Sequence, residues 1–137
     1  MHIEELVLHP AQLLNVDLVS LECKKHENYN ARNMEVKITV KVDTAEIQET
    51  TGKAVIEMIL TGEGFSLSVI QKGLFEFDLK KEKSVLKHFL ETQGVKLMWP
   101  YFREVIYDIS GRMLERPISV PTIDVLATVK KATEIEE

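Results

Sequence analysis

The sequence has 137 residues, of which 45% are hydrophobic, a composition that suits one globular domain with its own core. Seventeen basic residues against 22 acidic ones give a net charge of -5, which argues against a nucleic-acid-binding surface because such a surface must neutralise phosphates. The single cysteine, Cys23, excludes an internal disulfide and a cysteine-based metal cage.

The amino-terminal part of the chain predicts a strand and then a loop. MHIEELVLHP carries acids where a secretory signal needs basic residues, and no run approaches the ~18 apolar residues of a membrane span, so we expect a cytoplasmic protein that does not insert into the membrane. In residues 3–22, apolar residues occur at even positions in some places and at odd positions in others, and His9-Pro10 lies between the two halves of the stretch. This pattern predicts one long strand with a kink. The polar stretch CKKHENYNARN, with Tyr29 as its large apolar group, predicts an exposed crossing loop.

Three further strands are predicted from the spacing of apolar residues. In VKITVKVD, apolar and polar residues alternate strictly, which predicts a strand with one face exposed to solvent. KAVIEMILTG has apolar residues on both faces of an extended strand except at Glu57, which predicts a central strand. FSLSVIQKGLFEFDL alternates again, and Gly73 in it predicts a bulge. Because the connections are short, neighbouring strands are expected to pair antiparallel as a meander.

From Lys80 onward the apolar spacing becomes helical. KKEKSVLKHFLETQG predicts a short helix that stops at Gly94. Pro100 fits the first turn of a longer helix, WPYFREVIYDISGRM, because the missing N–H costs nothing there. Asp108 and Arg112 on this helix are spaced to form an ion pair along its surface.

A proline-bearing loop follows the long helix. Pro117 and Pro121 prevent the helix from continuing and predict a stiff loop. Asp124 predicts the cap of a last short helix, which is expected to fray into a charged tail at residues 130–137. The predicted fold is therefore α+β, a single domain over residues 1–137 in which a four-stranded antiparallel meander precedes a short helix, a long helix, the loop and a short C-terminal helix.

Few residues could carry catalysis. Cys23 and His26 are close in sequence but have no evident orienting group, so an inert thiol and a solvated imidazole are the expected state. His88 has no second histidine at metal-ligand spacing. Glu104 and Asp108 share a helix face with flanking arginines, which predicts a solvated, salt-bridged surface. We expect no enzyme, no cofactor and no metal site.

Apolar residues are concentrated around the proline-bearing loop. The segment RPISVPTI contains Ile118, Val120 and Ile123, which we expect to be exposed. Core packing accounts for the apolar helix positions such as Phe102 and Ile106, whereas core packing and ligand contact stay equally open for the loop residues. Exposed aliphatic side chains cost free energy unless a partner covers them, so this loop is a candidate binding element.

The stretch MWPYFREVIYDISGRMLERPISVPTIDVL, with the strand order and the strand ending VIQKGLFEF, resembles the bacterial protein-export chaperone SecB. The likeness runs from about Val36 to Leu126. Its specific part is the pattern of Pro100-Tyr101, Arg103-Glu104, Gly111-Arg112, Pro121 and Asp124. The resemblance implies an ATP-independent holdase without cofactors, which assembles as a dimer of dimers and binds unfolded or nascent polypeptides in long apolar grooves.

The resemblance also implies roles for particular residues. In the family the proline-bearing loop forms part of a groove wall, and the long helix lies in the assembly interface. The client-binding residues implied here are Ile118, Val120, Ile123 and Tyr29. The oligomer-interface residues implied here are Trp99, Tyr101, Tyr107 and Gly111.

Several functions stay open at this point. SecB proper offers an acidic sheet face to an export motor ATPase, whereas this chain has Ser68 in its fourth strand and a tail, KKATEIEE, that shares only its acids. A SecB-like chaperone dedicated to a specific client, such as an antitoxin, fits equally well. From another class, a small apolar-ligand carrier would be a monomer with a closed cavity. A half-covered sheet favours self-association instead and predicts a tetramer.

Overall fold

The computed structural model describes residues 1–33 and 35–136. Four strands precede three helices in the chain. The strands are β1 (Ala11–Lys25), β2 (Lys37–Ala45), β3 (Thr51–Gly62) and β4 (Phe65–Phe77), and the helices are α1 (Lys83–Glu91), α2 (Gln93–Met113) and α3 (Val125–Glu136). The α+β class and the order of elements predicted from the sequence are confirmed.

The strands form one antiparallel sheet in the order β1-β4-β3-β2. As the short connections predicted, β2, β3 and β4 pair consecutively, and β3 is a central strand. The partner of β1 differs from the prediction, because β1 pairs with β4 and not with β2. A long connection does not force its two strands to be neighbours, and here it carries the chain from one edge of the sheet to the other. Both β1 and β2 are therefore edge strands.

The crossing loop between β1 and β2 passes over the turn between β3 and β4. The His26 N–H donates to the Gly64 carbonyl at 2.7 Å. A Cβ on Gly64 would lie 2.5 Å from the Tyr29 backbone, and Gly64 has a φ of 78°, in the left-handed region that favours glycine. Both the tight turn and the close approach of the loop therefore require glycine here.

β1 is shorter than predicted and contains two register shifts against β4. The strand begins at Ala11 and not at residue 3, directly after Pro10, which has no N–H for a ladder hydrogen bond. In the two shifts Leu14 and Val19 have no partner on β4, and both side chains are about half exposed. Each extra residue reverses the alternation of faces, which explains the two apolar phases in this part of the sequence.

The prediction of a bulge at Gly73 is wrong, since this residue keeps a regular partner on β1. Gly73 lies on the helix-facing side of β4, where a Cβ would be 2.6 Å from the sulfur of Met98. The glycine therefore allows α2 to approach the sheet closely and does not interrupt the strand.

The hydrophobic core lies between one face of the sheet and the helices. Along β3 and β4 every second side chain is buried, as expected for a sheet covered on one side. The largest fully buried side chains are Phe75, Phe102, Ile56, Met58, Leu60, Leu67, Leu86, Leu90, Met98, Ile106, Leu114 and Val69. Burial of this apolar area, at about 25 cal/mol per Å², holds the helices on the sheet.

The long helix begins earlier than predicted. Thr92 has a non-helical backbone (φ -117°, ψ -80°) and separates α1 from α2, so Gly94 lies inside α2 and does not stop α1. Pro100 also lies inside α2. The hydrogen bond that it removes would have used the carbonyl of exposed Lys96, which water can solvate. As far as the described residues go, none of the helices combines the length and hydrophobicity needed to cross a bilayer.

The cap predicted for the last helix is confirmed. The Asp124 carboxylate accepts a hydrogen bond from the Ala127 N–H at 3.0 Å. α3 then continues to Glu136, through residues that were expected to fray, with exposed side chains from Lys130 to Ile135. Glu137, also part of the predicted tail, lies outside the described residues.

Candidate polypeptide-binding groove

The segment between α2 and α3, residues 114–124, is called the proline loop below. Two hydrogen bonds hold it to α2. The Ile118 N–H donates to the hydroxyl oxygen of buried Ser110 at 2.7 Å. The indole Nε1 of Trp99 donates to the Pro121 carbonyl at 2.9 Å. The backbone of the loop is therefore fixed to the helix on both sides of Val120.

Tyr29 connects the crossing loop to the start of the proline loop. Its hydroxyl donates to the Leu114 carbonyl at 2.5 Å, and its ring packs edge-on against Phe65 with the ring centroids 5.9 Å apart. Arg116 contributes a further, longer hydrogen bond to the Ala31 carbonyl at 3.5 Å. Tyr29 is half buried in these contacts, so in this conformation it joins two loops.

Two depressions lie along the helix-facing side of edge strand β2, and together we call them the β2 groove. Its first part has a volume of about 360 Å³ and is lined by Val36, Ile38, Pro117, Ile118, Ser119 and Pro121. Its second part has a volume of about 640 Å³ and is lined by Val40, Lys41, Val42, Asp43, Lys87, Glu91, Val129, Ala132 and Thr133. The half-buried aliphatic residues of β2 thus provide an apolar wall along the strand, and the proline loop, α1 and α3 provide the opposite wall.

A second depression, the α2 hollow, lies on the other side of the proline loop. It has a volume of about 770 Å³ and is lined by Arg103, Glu104, Tyr107, Asp108, Gly111, Arg112, Pro117, Ser119 and Val120. The predicted pair on α2 is present, with the Arg112 Nε donating to the Asp108 carboxylate at 3.0 Å. This hollow contains four charged side chains, and so does the second part of the β2 groove, whereas the lining of the first part contains none. The first part of the β2 groove is therefore the better site for apolar side chains.

The structure separates the loop residues predicted to line one groove. Ile118 lines the β2 groove, Val120 lines the α2 hollow, and Ile123 is half buried against the core. The expectation that Ile118 and Val120 are exposed is wrong, because they are 6% and 0% exposed. The loop folds back on α2, which removes these apolar side chains from water. Contact between these residues and a client stays a prediction.

The residues predicted for an oligomer interface also fall into two groups. Tyr101 and Tyr107 are 43% and 53% exposed, and exposed Gly111 shares their outward face of α2. Trp99 is 8% exposed and holds the proline loop, so within one chain it is a core residue. The outward face of α2 is consequently free to contact another subunit, whereas Trp99 acts inside the protomer.

The helices leave part of β1 uncovered. Leu18 and Leu21 are opposite Gln71 and Val69 of β4, on the helix-facing side of the sheet, yet they are 49% and 36% exposed. Leu97 on α2 is 39% exposed as well. Exposed apolar side chains on neighbouring elements are typical of an interaction surface.

No activated nucleophile is apparent at the cysteine. Burial raises the pKa of the Cys23 thiol, an effect that the charge of nearby Lys25 opposes only in part. The thiol is therefore protonated at neutral pH, and His26 is exposed in the crossing loop. Within residues 1–33 and 35–136, no three or more His, Cys, Asp and Glu side chains come together as a metal site.

Comparison with known proteins finds the same fold in solved structures. The Mycobacterium tuberculosis Rv1957 SecB-like chaperone, in complex with a ChAD peptide from the Rv1956 HigA1 antitoxin, matches with a TM-score of 0.71 and 18% identity, over 84% of this chain and 91% of that chain. A protein of unknown function from Streptococcus agalactiae matches with a TM-score of 0.57 and 12% identity, over 82% of this chain and 97% of that chain. No protein-family model and no curated protein sequence matches the chain.

Proposed function

Because the chain has the SecB-like fold, we propose that it is an ATP-independent holdase that binds unfolded or nascent polypeptides in an apolar groove. The observation that carries this proposal is the first part of the β2 groove, which lies between an edge strand and a fixed loop and has no charged side chain in its lining. Burial of client side chains supplies about 25 cal/mol per Å² and needs no nucleotide. Binding of this kind depends on apolar area, so it is broad in specificity.

The proposal includes self-association of the chain in the cytoplasm as a dimer of dimers. The exposed aliphatic residues of β1 and the outward face of α2 support it, because a partner chain would remove Leu18, Leu21 and Tyr101 from water. Light scattering is expected to give four times the mass of one chain. Leu18→Glu is expected to lower that mass, whereas Leu79→Glu, at a similarly exposed leucine after β4, is expected to leave it unchanged.

A second candidate is a chaperone dedicated to one client such as an antitoxin. The complex of the similar Rv1957 chaperone with an antitoxin peptide favours this candidate. The face of the sheet that points away from the helices has as many basic as acidic side chains. Because an export motor of this kind docks on an acidic face, this balance of charge favours a function that does not involve the motor. The charged residues of this face are Asp17, Glu22, Asp43, Glu57 and Glu76 against Lys24, Lys37, Lys41, Lys53 and Lys72.

The β2 groove is testable with a permanently unfolded polypeptide, reduced and carboxymethylated α-lactalbumin. The double variant Ile38→Thr, Val40→Thr keeps β-branched residues in β2 but removes apolar groove surface. A loss of about 1 kcal/mol at each site would weaken binding about thirtyfold, measured by fluorescence anisotropy. The control is Lys37→Thr, which lies on the opposite face of the same strand and outside the lining of the groove, where binding is expected to change far less.

Three outcomes separate the possibilities. Absence of binding by the native protein, together with failure to suppress aggregation of a denatured client without nucleotide, would refute the holdase. Equal binding by the groove double variant and the native protein would place the client elsewhere. A monomer that carries co-purified lipid in native mass spectrometry would favour the small apolar-ligand carrier.

A further inference from the structure

Two loops meet at one end of the first part of the β2 groove. The crossing loop leads into Val36, which lines this part of the groove on the side of β2. The proline loop supplies Pro117 and Ile118 on the other side. Shortly before Pro117 in the chain, the Leu114 carbonyl accepts the hydrogen bond from the Tyr29 hydroxyl of the crossing loop. The two walls of the groove are therefore joined to each other at this end.

The crossing loop is also held to the turn between β3 and β4, independently of the proline loop. The His26 N–H donates to the Gly64 carbonyl at 2.7 Å, and the Asn33 side-chain amide donates to the Glu63 carboxylate. Between these two contacts the loop is mostly exposed, and Tyr29 supplies its large, half-buried apolar side chain. The side chain of Tyr29 can therefore change its position while both ends of the loop stay on the turn.

The Tyr29 side chain covers apolar surface beside the groove. Its ring packs edge-on against Phe65, which is 3% exposed. A Cβ on Gly62 would contact both the Phe65 ring and the Glu35 carbonyl, so Phe65 lies next to the point where the chain enters the groove wall. Rotation of Tyr29 away from Phe65 would uncover this ring and free the Leu114 carbonyl. That movement costs one hydrogen bond and one aromatic contact, which favours the observed position as long as no client is bound.

We propose that Tyr29 is a gate at this end of the β2 groove. The gate is closed in the structure, and it opens when a client displaces the Tyr29 side chain from Phe65. This inference rests on the proposed holdase function and concerns the control of the groove. It replaces the expectation that Tyr29 contacts the client. The proline loop keeps its hydrogen bonds to Ser110 and Trp99 in both states, so the wall of the groove stays ordered when the gate opens.

The hydroxyl of Tyr29 is the main link that keeps the gate closed. The other link between the two loops, from Arg116 to the Ala31 carbonyl, is 3.5 Å long and therefore weak. A client that binds the open form has an apparent Kd equal to its intrinsic Kd divided by the fraction of open protein. Because the closed form dominates, any change that weakens it raises this fraction and tightens client binding in proportion.

Tyr29→Phe tests the gate because it removes the hydroxyl and keeps the ring against Phe65. A hydrogen bond of about 1 kcal/mol corresponds to a factor of about five in the fraction of open protein. The variant is therefore expected to bind reduced and carboxymethylated α-lactalbumin about fivefold more tightly than the native protein, measured by fluorescence anisotropy. The matched control is Tyr107→Phe on the outward face of α2, where the side chain is 53% exposed and the Kd is expected to stay unchanged.

Two NMR measurements complete the test. In the native protein, the nuclear Overhauser contact between the rings of Tyr29 and Phe65 is expected to disappear at saturating client, and this measurement needs no variant. In Tyr29→Phe without client, the Ile118 amide is expected to keep its native protection from hydrogen exchange, because its acceptor on Ser110 is unchanged.

The outcomes distinguish the gate from the function on which it rests. Weaker binding by Tyr29→Phe would show that the hydroxyl contacts the client, and the gate would be wrong. Equal binding, or an Overhauser contact that persists at saturating client, would show that the link between the loops is only structural. Loss of protection at the Ile118 amide would mean that the variant alters the groove wall, which also overturns the gate. The holdase proposal survives all three results and fails only if the native protein does not bind the unfolded α-lactalbumin.

Discussion

The hydrogen bond between Ile118 and Ser110 is expected to determine whether the proline loop keeps its conformation. In Ser110→Ala, the buried Ile118 N–H loses its acceptor, which now lies at 2.7 Å. A buried donor without a partner costs roughly 1 to 3 kcal/mol, so we expect a decrease of about 2 kcal/mol in the free energy of unfolding. For a chain of this size, this decrease corresponds to a fall in Tm of about 4 to 10 °C, measurable by differential scanning calorimetry.

The matched control removes a hydroxyl that, among the described residues, accepts no hydrogen bond from a buried N–H. The Thr133 hydroxyl donates to the Val129 carbonyl at 3.0 Å on the exposed surface of α3. Thr133→Val is therefore expected to change stability by less than about 0.5 kcal/mol. The reasoning would be refuted if Ser110→Ala were as stable as this control and the Ile118 amide kept its native protection from hydrogen exchange.

Further substitutions examine other contacts of the same structure. Trp99→Phe removes the hydrogen bond to the proline loop and is expected to cost about 1 kcal/mol in urea unfolding, with faster amide exchange in the loop. Gln71→Leu removes a buried amide nitrogen that has no partner among the described residues, so the urea midpoint is expected to rise by the equivalent of about 1 kcal/mol. Gly64→Ala places a methyl group in the crossing loop at positive φ and is expected to lower Tm. Gly111→Ala leaves ordinary contact distance to the nearest atom within one chain, so it is expected to keep the fold, and a loss of mass in light scattering would place this residue in the oligomer interface.

Local patterns predicted most of the fold. The alternation in β2 and β4, the apolar run of β3 and the short turns between these strands are enough to determine their pairing, because a short connection leaves few alternatives. The pairing of β1 was not predictable in the same way, since the long crossing loop allows it to lie at either edge. The two apolar phases of β1 were visible in the sequence, but only the partner strand shows that Leu14 and Val19 are the extra residues.

The candidate site was less predictable because it depends on contacts between distant residues. Pro117 and Pro121 predicted a stiff loop, which the structure contains. Its direction depends on hydrogen bonds from Trp99 and to Ser110, and neither residue type reveals its partner in the sequence. The alternation in β2 predicted which side chains face the helices, but the role of Ile38 as a groove wall follows only from the position of β2 at the edge.

Fixing the proline loop by hydrogen bonds to α2 has a consequence for client binding. A groove wall that is already ordered does not lose conformational entropy when a client binds, so more of the burial energy becomes affinity. A preformed wall also limits which side chains fit, so the fixed loop narrows the range of clients that burial of apolar area alone would admit. If the protein is the holdase proposed above, loosening the loop with Ser110→Ala is therefore expected to weaken binding of reduced and carboxymethylated α-lactalbumin, measured by fluorescence anisotropy, and unchanged binding would show that the order of the loop does not contribute to affinity.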